Sequence, residues 1–171
     1  CRYLEATILG PTPIRAATVY VPNGQDAVSD KFGYKMRFLE RVRAHAAALL
    51  RDDLPVILGG DYNVAPEPED VLNPEKSFGQ ICFHPQEREQ FRALKYLGYY
   101  DAFRLKHPEG KHFSWWDYRG ARFEVDDGMR IDHLMISAEL ADRMQEAEID
   151  RQPRSWDKPS DHTPVWARFA A

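Results

Sequence analysis

The 171-residue sequence has no apolar run near the roughly 18–20 residues that a bilayer span needs, which excludes a membrane-spanning helix. Its opening, Cys1-Arg2-Tyr3-Leu4-Glu5, has neither the basic region nor the apolar core of a secretory signal. Cysteine is scarce. Cys1 and Cys82 lie far apart without metal-ligand spacing, and they read as free thiols of a cytoplasmic protein. Repeats, linkers and low-complexity tracts are missing, so the chain reads as one structural unit. Net positive charge is missing too. At −4 the chain does not resemble a module that holds a duplex by counterion release. That objection weakens where acidic residues gather at a metal site, because a bound cation reverses the local field. Arg88, Arg92, Arg119, Arg122, Arg130, Arg151 and Arg154 would then supply local charge. An initiator methionine is absent and a strand-like pattern begins within two residues, which predicts a chain that starts in the middle of a fold.

What is present is an α/β pattern. Tyr3 to Leu9 and Ile14 to Val21 read as strands around the turn Gly10-Pro11-Thr12-Pro13. Residues Asp30 to Asp52 carry Phe38, Leu39, Val42, Ala46, Leu49 and Leu50 at helical spacing, with Ser29 or Asp30 as the N-cap. Pro55 to Gly60 is short and apolar with glycines at its exit, as a central strand buried on both faces would be. Pro66 to Phe83 reads mainly as a loop, and Gln86 to Leu97 as a helix closed by Gly98. Met129 to Ser137 reads as a strand, Ala138 to Arg143 as a short helix, Glu146 to Gln152 as a strand, and Thr163 to Phe169 as the last strand. Strand, helix and strand in this order suggest a layered α/β architecture.

Five segments carry the chemistry. Gly59-Gly60-Asp61-Tyr62-Asn63 ends the buried strand, where ligands bind in open α/β sheets. Asp61 can orient or deprotonate a water there, with the Asn63 amide beside it; the pair would equally form an Asx turn. Ser160-Asp161-His162 puts a metal-type carboxylate beside a proton-handling imidazole. Arg130-Ile131-Asp132-His133 predicts Asp132 and Arg130 on one face, opposite Ile131, with His162 as the partner of Asp132. A surface Asp on a half-exposed strand fits the same pattern. Tyr20-Val21-Pro22-Asn23-Gly24 offers a hydroxyl and an amide to a phosphate, or is an ordinary turn. Trp115-Trp116-Asp117-Tyr118 would be core, or a surface that meets sugars or bases.

In their joint order, these segments and His84-Pro85-Gln86-Glu87-Arg88 resemble the exodeoxyribonuclease III branch of the endonuclease/exonuclease/phosphatase superfamily, over about Arg2 to Phe169. Gly-Asp-x-Asn and Ser-Asp-His mark the superfamily; Pro-Gln-Glu-Arg and Trp-Trp-Asp-Tyr-Arg are closer to its abasic-site nucleases. The resemblance implies a four-layer α/β sandwich of mixed β-sheets flanked by helices, with residues 1–171 as its C-terminal half. It implies magnesium, or manganese, bound by Asp161. It implies that Asp61 activates the attacking water, that Asn63 contacts water and phosphate, and that His162 contacts the scissile phosphate. Asp132 would fix the His162 tautomer, while Tyr20 and Asn23 hold phosphate oxygens. Trp115, Met129 and Ile131 would wall a pocket for a base-free deoxyribose. An Asn and a Glu that the family supplies from earlier strand ends have no match here.

The expected activity is hydrolysis of double-stranded DNA at abasic sites and from 3′ ends, impaired in this chain alone. Two other readings remain open: a superfamily phosphatase acting on phosphoinositide or sphingomyelin, and an inactive half-domain. The second predicts self-association through an apolar face that includes Val56, Leu58, Leu134, Ile136 and Val165, whereas an intact parent would be a monomer.

Overall fold

The structure, a computed structural model, describes residues 1–170. Strands β1 (Tyr3–Ile8) and β2 (Ile14–Tyr20) form an antiparallel hairpin around the Gly-Pro turn. The chain then crosses through helix α1 (Asp30–Leu49) and returns as β3 (Val56–Asp61), parallel to β2. Ser29 caps α1 by accepting from the Phe32 N–H, as its sequence position implies. The segment Pro66 to Phe83, expected as loop, holds a 3₁₀ turn at Pro68–Asp70 and a short α-helix, α2 (Pro74–Ser77). Helix α3 (Pro85–Tyr96) starts on a capping box in which His84 and Glu87 satisfy each other's exposed N–H groups. Strand β4 (Tyr100–Asp101) and helix α4 (Ala102–Lys106) follow, then β5 (Asp132–Ile136), α5 (Ala138–Arg143), β6 (Met144–Ile149) and β7 (Val165–Phe169).

Five strands form one mixed sheet in the order β1-β2-β3-β5-β4, and β6 and β7 form a separate antiparallel pair. Ala17, Val19, Val56, Leu58 and Met135 pack against Leu39, Ala46 and Leu49 of α1 and Phe91 and Leu94 of α3 in the main core. The opposite face is covered at the Ile136 end, where Leu140, Met144 and Ala147 close over Ala102 and Ile136.

That arrangement corrects the expected apolar face. Val56 and Leu58 belong to the helix-covered side, and Ile136 is enclosed by α4, α5 and β6. Strand alternation decides this, since Val56 and Leu58 share a parity that Ile57 does not. Leu134 and Val165 remain half-buried. The face that stays open carries Leu4 and Ile8, 68% and 57% exposed, beside half-buried Ile14 and Ile57.

Candidate active site

Cross-strand register assembles the centre of the site. Tyr20 pairs with Asp61 across β2 and β3, and Asp61 pairs with Asp132 across β3 and β5. Register partners project from the same face, so a hydroxyl and two carboxylates stand in one row where β2 and β3 end. Gly60 permits this close approach: its φ is +138°, and a Cβ would lie 2.1 Å from the Val19 carbonyl. Beyond the row the chain turns through Asn63, whose φ of +49° lies in the left-handed region that Asn tolerates. The Asn63 main-chain N–H donates to Asp61 Oδ1 at 2.8 Å, and its side-chain amide donates to Asp61 Oδ2 at 2.8 Å. The Asx turn and the site are therefore one construction.

The second half of the site hangs on the segment Phe113–Trp116. Trp115 bridges to Met129 on one side and to His162 on the other. Ser114, fully buried, donates to Asp132 Oδ2 at 2.7 Å and accepts the N–H groups of Ile131 and Asp132 at 3.1 Å each. Asp132 in turn meets His162 Nδ1 at 2.9 Å. With Nδ1 engaged, the Nε2 atom of His162 is the ring position left to act on a substrate. The Trp115 indole N–H donates to Asp161 Oδ2 at 3.0 Å.

Tyr20, Asn23, Asp61, Asn63, Trp115, Met129, Ile131, Asp161 and His162 line a single cleft of about 310 Å³, joined by Ile81 and Cys82. An adjoining groove of about 760 Å³ shares Trp115 and Met129 and carries Asn73, Lys76, Gln80 and Arg122. All ten residues singled out by sequence are thus in or directly behind one cleft, with Asp132 as the member behind it.

Burial, followed by the facing Asp132 carboxylate, pushes the Asp61 carboxyl up from 3.8 to about 6. For His162, burial pulls downward, but the hydrogen bond to Asp132 and the charges of Asp132, Asp61 and Asp161 outweigh it and raise the pKa. The cleft therefore holds a carboxylate of unusual basicity opposite an imidazole that keeps its proton more readily than a free one.

Two expectations are corrected. Arg130 does not share a face with Asp132. It is fully buried, with Nε 2.7 Å from Asp70 and Nη2 2.8 Å from Asp101, and its Nη1 meets His133 at 3.0 Å. The strand is interrupted where Ser114 takes two successive N–H groups, and alternation fails there. Trp116 is core rather than a base-stacking surface: it is fully buried and its indole N–H donates to Asp126. Both amide hydrogens of Asn63 are engaged, by Asp61 and by the Val21 carbonyl at 3.0 Å, and one of them helps hold the Asp61 carboxylate in place. The arginines are largely spoken for. Arg119, Arg122 and Arg151 pair with Asp117, Asp127 and Asp126, while Arg130 and Arg154 are buried.

Ser114 escaped the sequence reading, although a lone hydroxyl between Phe113 and two tryptophans is a signal. Lys35 escaped it as well, and Glu87 entered only as part of the Pro-Gln-Glu-Arg segment; both are fully buried. Cys1 and Cys82 are free thiols, as expected. No described helix is long and apolar enough to cross a membrane. Among the described residues no group of three or more His, Cys, Asp or Glu stands together as a metal cage. A hard cation takes about six oxygens, so Asp161 and its neighbours alone do not complete such a site.

Exodeoxyribonuclease III of Haemophilus influenzae is 32% identical over 158 residues, covering 88% of this chain and 59% of that protein. An exodeoxyribonuclease of Bacillus subtilis is 35% identical over 150 residues, covering 86% of this chain and 57% of that one. Among solved structures, the 3′ phosphatase NExo from Neisseria, bound to a product DNA hairpin, superposes with a TM-score of 0.95 at 35% identity. An AP endonuclease from Archaeoglobus fulgidus superposes with a TM-score of 0.92 at 34% identity. Each superposition covers 99% of this chain and 65% of the other. The chain thus spans less than two thirds of the length of these relatives. The Endonuclease/Exonuclease/phosphatase family matches residues 2–162, and the chain belongs to that family.

Proposed function

We propose that this chain carries part of the active site of a DNA-repair phosphodiesterase that cuts double-stranded DNA at abasic sites and trims it from 3′ ends. One observation carries the reading: Tyr20, Asp61 and Asp132 stand in a row, with His162 held by Asp132, around a cleft walled by Trp115, Met129 and Ile131. Named relatives that are exodeoxyribonucleases and AP endonucleases support the substrate class.

In this reading Asp61, ionised at neutral pH yet more basic than a free carboxylate, orients and deprotonates a water. His162 presents Nε2 to the scissile phosphate while Asp132 holds its tautomer and charge. The Tyr20 hydroxyl and the Asn23 amide, which gives up its weak contact with Cys82 Sγ, stabilise oxygens that gain charge as the water attacks in line. Trp115, Met129 and Ile131 admit a sugar without its base. Magnesium, or manganese in its place, would touch Asp161 and supply Lewis-acid stabilisation of the phosphate.

We further propose that residues 1–171 form the C-terminal half of a four-layer sandwich. The open face at Leu4 and Ile8 supports this, as does the 57–65% of its relatives that the chain spans. Alone, the chain then has weak nuclease activity and self-associates. The test is magnesium-dependent cleavage of an abasic duplex by this chain beside a longer protein that contains it. Cleavage by the longer protein that Asp61→Asn abolishes supports the reading; an inactive longer protein rejects it.

A further inference from the structure

Lys35 lies on the buried side of α1, three residues after Phe32 and four before Leu39, and is itself fully enclosed. Its stem passes Gly24, where a Cβ would come within 3.0 Å of Lys35 Cδ. An ammonium has three N–H bonds to give and cannot accept. Here all three are placed: on the Asn63 carbonyl at 2.7 Å, the Asn23 carbonyl at 3.0 Å and Glu87 Oε1 at 2.5 Å. Glu87 is equally buried, and its other oxygen accepts from the His84 N–H at 3.0 Å.

The consequence lies one bond further on. Both oxygens of Asp61 are held by Asn63, and the Asn63 Oδ1 atom accepts from Asn23 at 3.0 Å. Lys35 therefore grips the main chain of the residue that aims Asp61 and of the residue beside it in the cleft. We propose that Lys35 is a positioning residue for Asp61, setting the spacing of the Asn23 and Asn63 loops, with Glu87 as the counter-charge that lets it stay buried. The competing account is a plain strut between α1 and α3 that stabilises the fold without reaching Asp61. The kinetic part of the proposal rests on Asp61 being the base of a phosphodiesterase; the spectroscopic part does not.

Lys35→Met alone strands the Glu87 charge and is expected to cripple folding, since an unpaired buried ion is costly. Lys35→Met with Glu87→Gln removes both charges and isolates the positioning role. In the deuterated wild-type chain, couplings across hydrogen bonds should join Lys35 Nζ to the Asn23 and Asn63 carbonyl carbons; absence of either overturns the proposal without any variant. In the folded double variant the Asn63 side-chain amide resonances should move towards those of a free amide. Unmoved resonances favour the strut and overturn the proposal. In a longer protein containing this chain, on an abasic duplex with magnesium, the double variant's kcat should fall roughly ten- to a hundred-fold with KM unchanged, because Lys35 touches no substrate while misaiming a reactive group is costly. Wild-type kcat in the double variant also overturns it. A longer protein that contains the wild-type chain and cuts no DNA counts against the phosphodiesterase reading alone, and the amide resonances still decide the role of Lys35.

Discussion

Asp61 and Asp132 are register partners on antiparallel strands, so two carboxylates face one another across the β3–β5 ladder, hydrogen-bonded to Asn63 on one side and to His162 and Ser114 on the other. The pairing helps hold the Asp61 pKa near 6, above its ordinary 3.8. A base must be deprotonated, so hydrolysis should rise with pH through about 6. A pH–rate profile of kcat/KM on an abasic duplex checks this; activity already flat between pH 4.5 and 7 would contradict it.

The same pKa has a stability consequence. A carboxyl whose folded pKa is raised keeps its proton in the folded state after the unfolded chain has lost it. Stability therefore falls as pH rises from 3.8 towards about 6. Asp61→Asn removes that penalty and should stabilise the metal-free chain at pH 7 by about 1–3 kcal/mol. Urea denaturation in chelator, at pH 4.5 and pH 7, reads the effect, and a destabilised variant at pH 7 would count against it. His162 works in the same direction, with stability present below about pH 6.5 and lost as pH rises through its raised pKa.

Ser114 joins the fold to the site. Ser114→Ala leaves the buried N–H groups of Ile131 and Asp132 without their acceptor and takes one of two partners from Asp132 Oδ2, leaving that oxygen to His162. The expected loss is about 2–4 kcal/mol of stability, from two orphaned donors, with a lower kcat through misorientation of His162. Retention of both properties would show that water replaces the hydroxyl at no cost.

The adjacent tryptophans should part company. Trp116→Ala empties a fully buried site and should cost about 3–5 kcal/mol. Trp115→Ala should cost less stability but selectively reduce cleavage at abasic sites, because Trp115 is half-buried and walls the cleft. Paired melting and cleavage measurements separate them, and equal effects of the two on both readouts would refute the assignment.

What was legible in the sequence were features set by local rules. Periodicity found α1, glycines marked the end of β3, and the Asp-His pairs fell at strand ends. The misjudged residues depend on long-range partners. Arg130 turns inward because Asp70 and Asp101, 60 and 29 residues away in sequence, enclose it, and because Ser114 breaks the strand's alternation at its N-terminal edge. Lys35 sits in the apolar stripe of α1, a visible anomaly whose meaning needed Glu87, 52 positions on. Trp115 and Trp116 alternate across an extended segment, so neighbours of one type take opposite environments.

The open sheet face sets the behaviour of the isolated chain. Apolar exposure there is unfavourable by about 25 cal/mol per Å², and the chain should self-associate at micromolar concentration. Leu4→Lys with Ile8→Lys, both at exposed positions, should return it towards monomer. Sedimentation of the two proteins decides, and a wild-type monomer at all concentrations would refute the expectation.

The most direct test of the hydrolytic assignment is single-turnover cleavage of an abasic duplex, with magnesium, by a longer protein containing this chain and by its Asp61→Asn and His162→Ala variants. The account predicts that each variant folds and loses roughly two to four orders of magnitude in rate. A near-wild-type rate for either variant would contradict it.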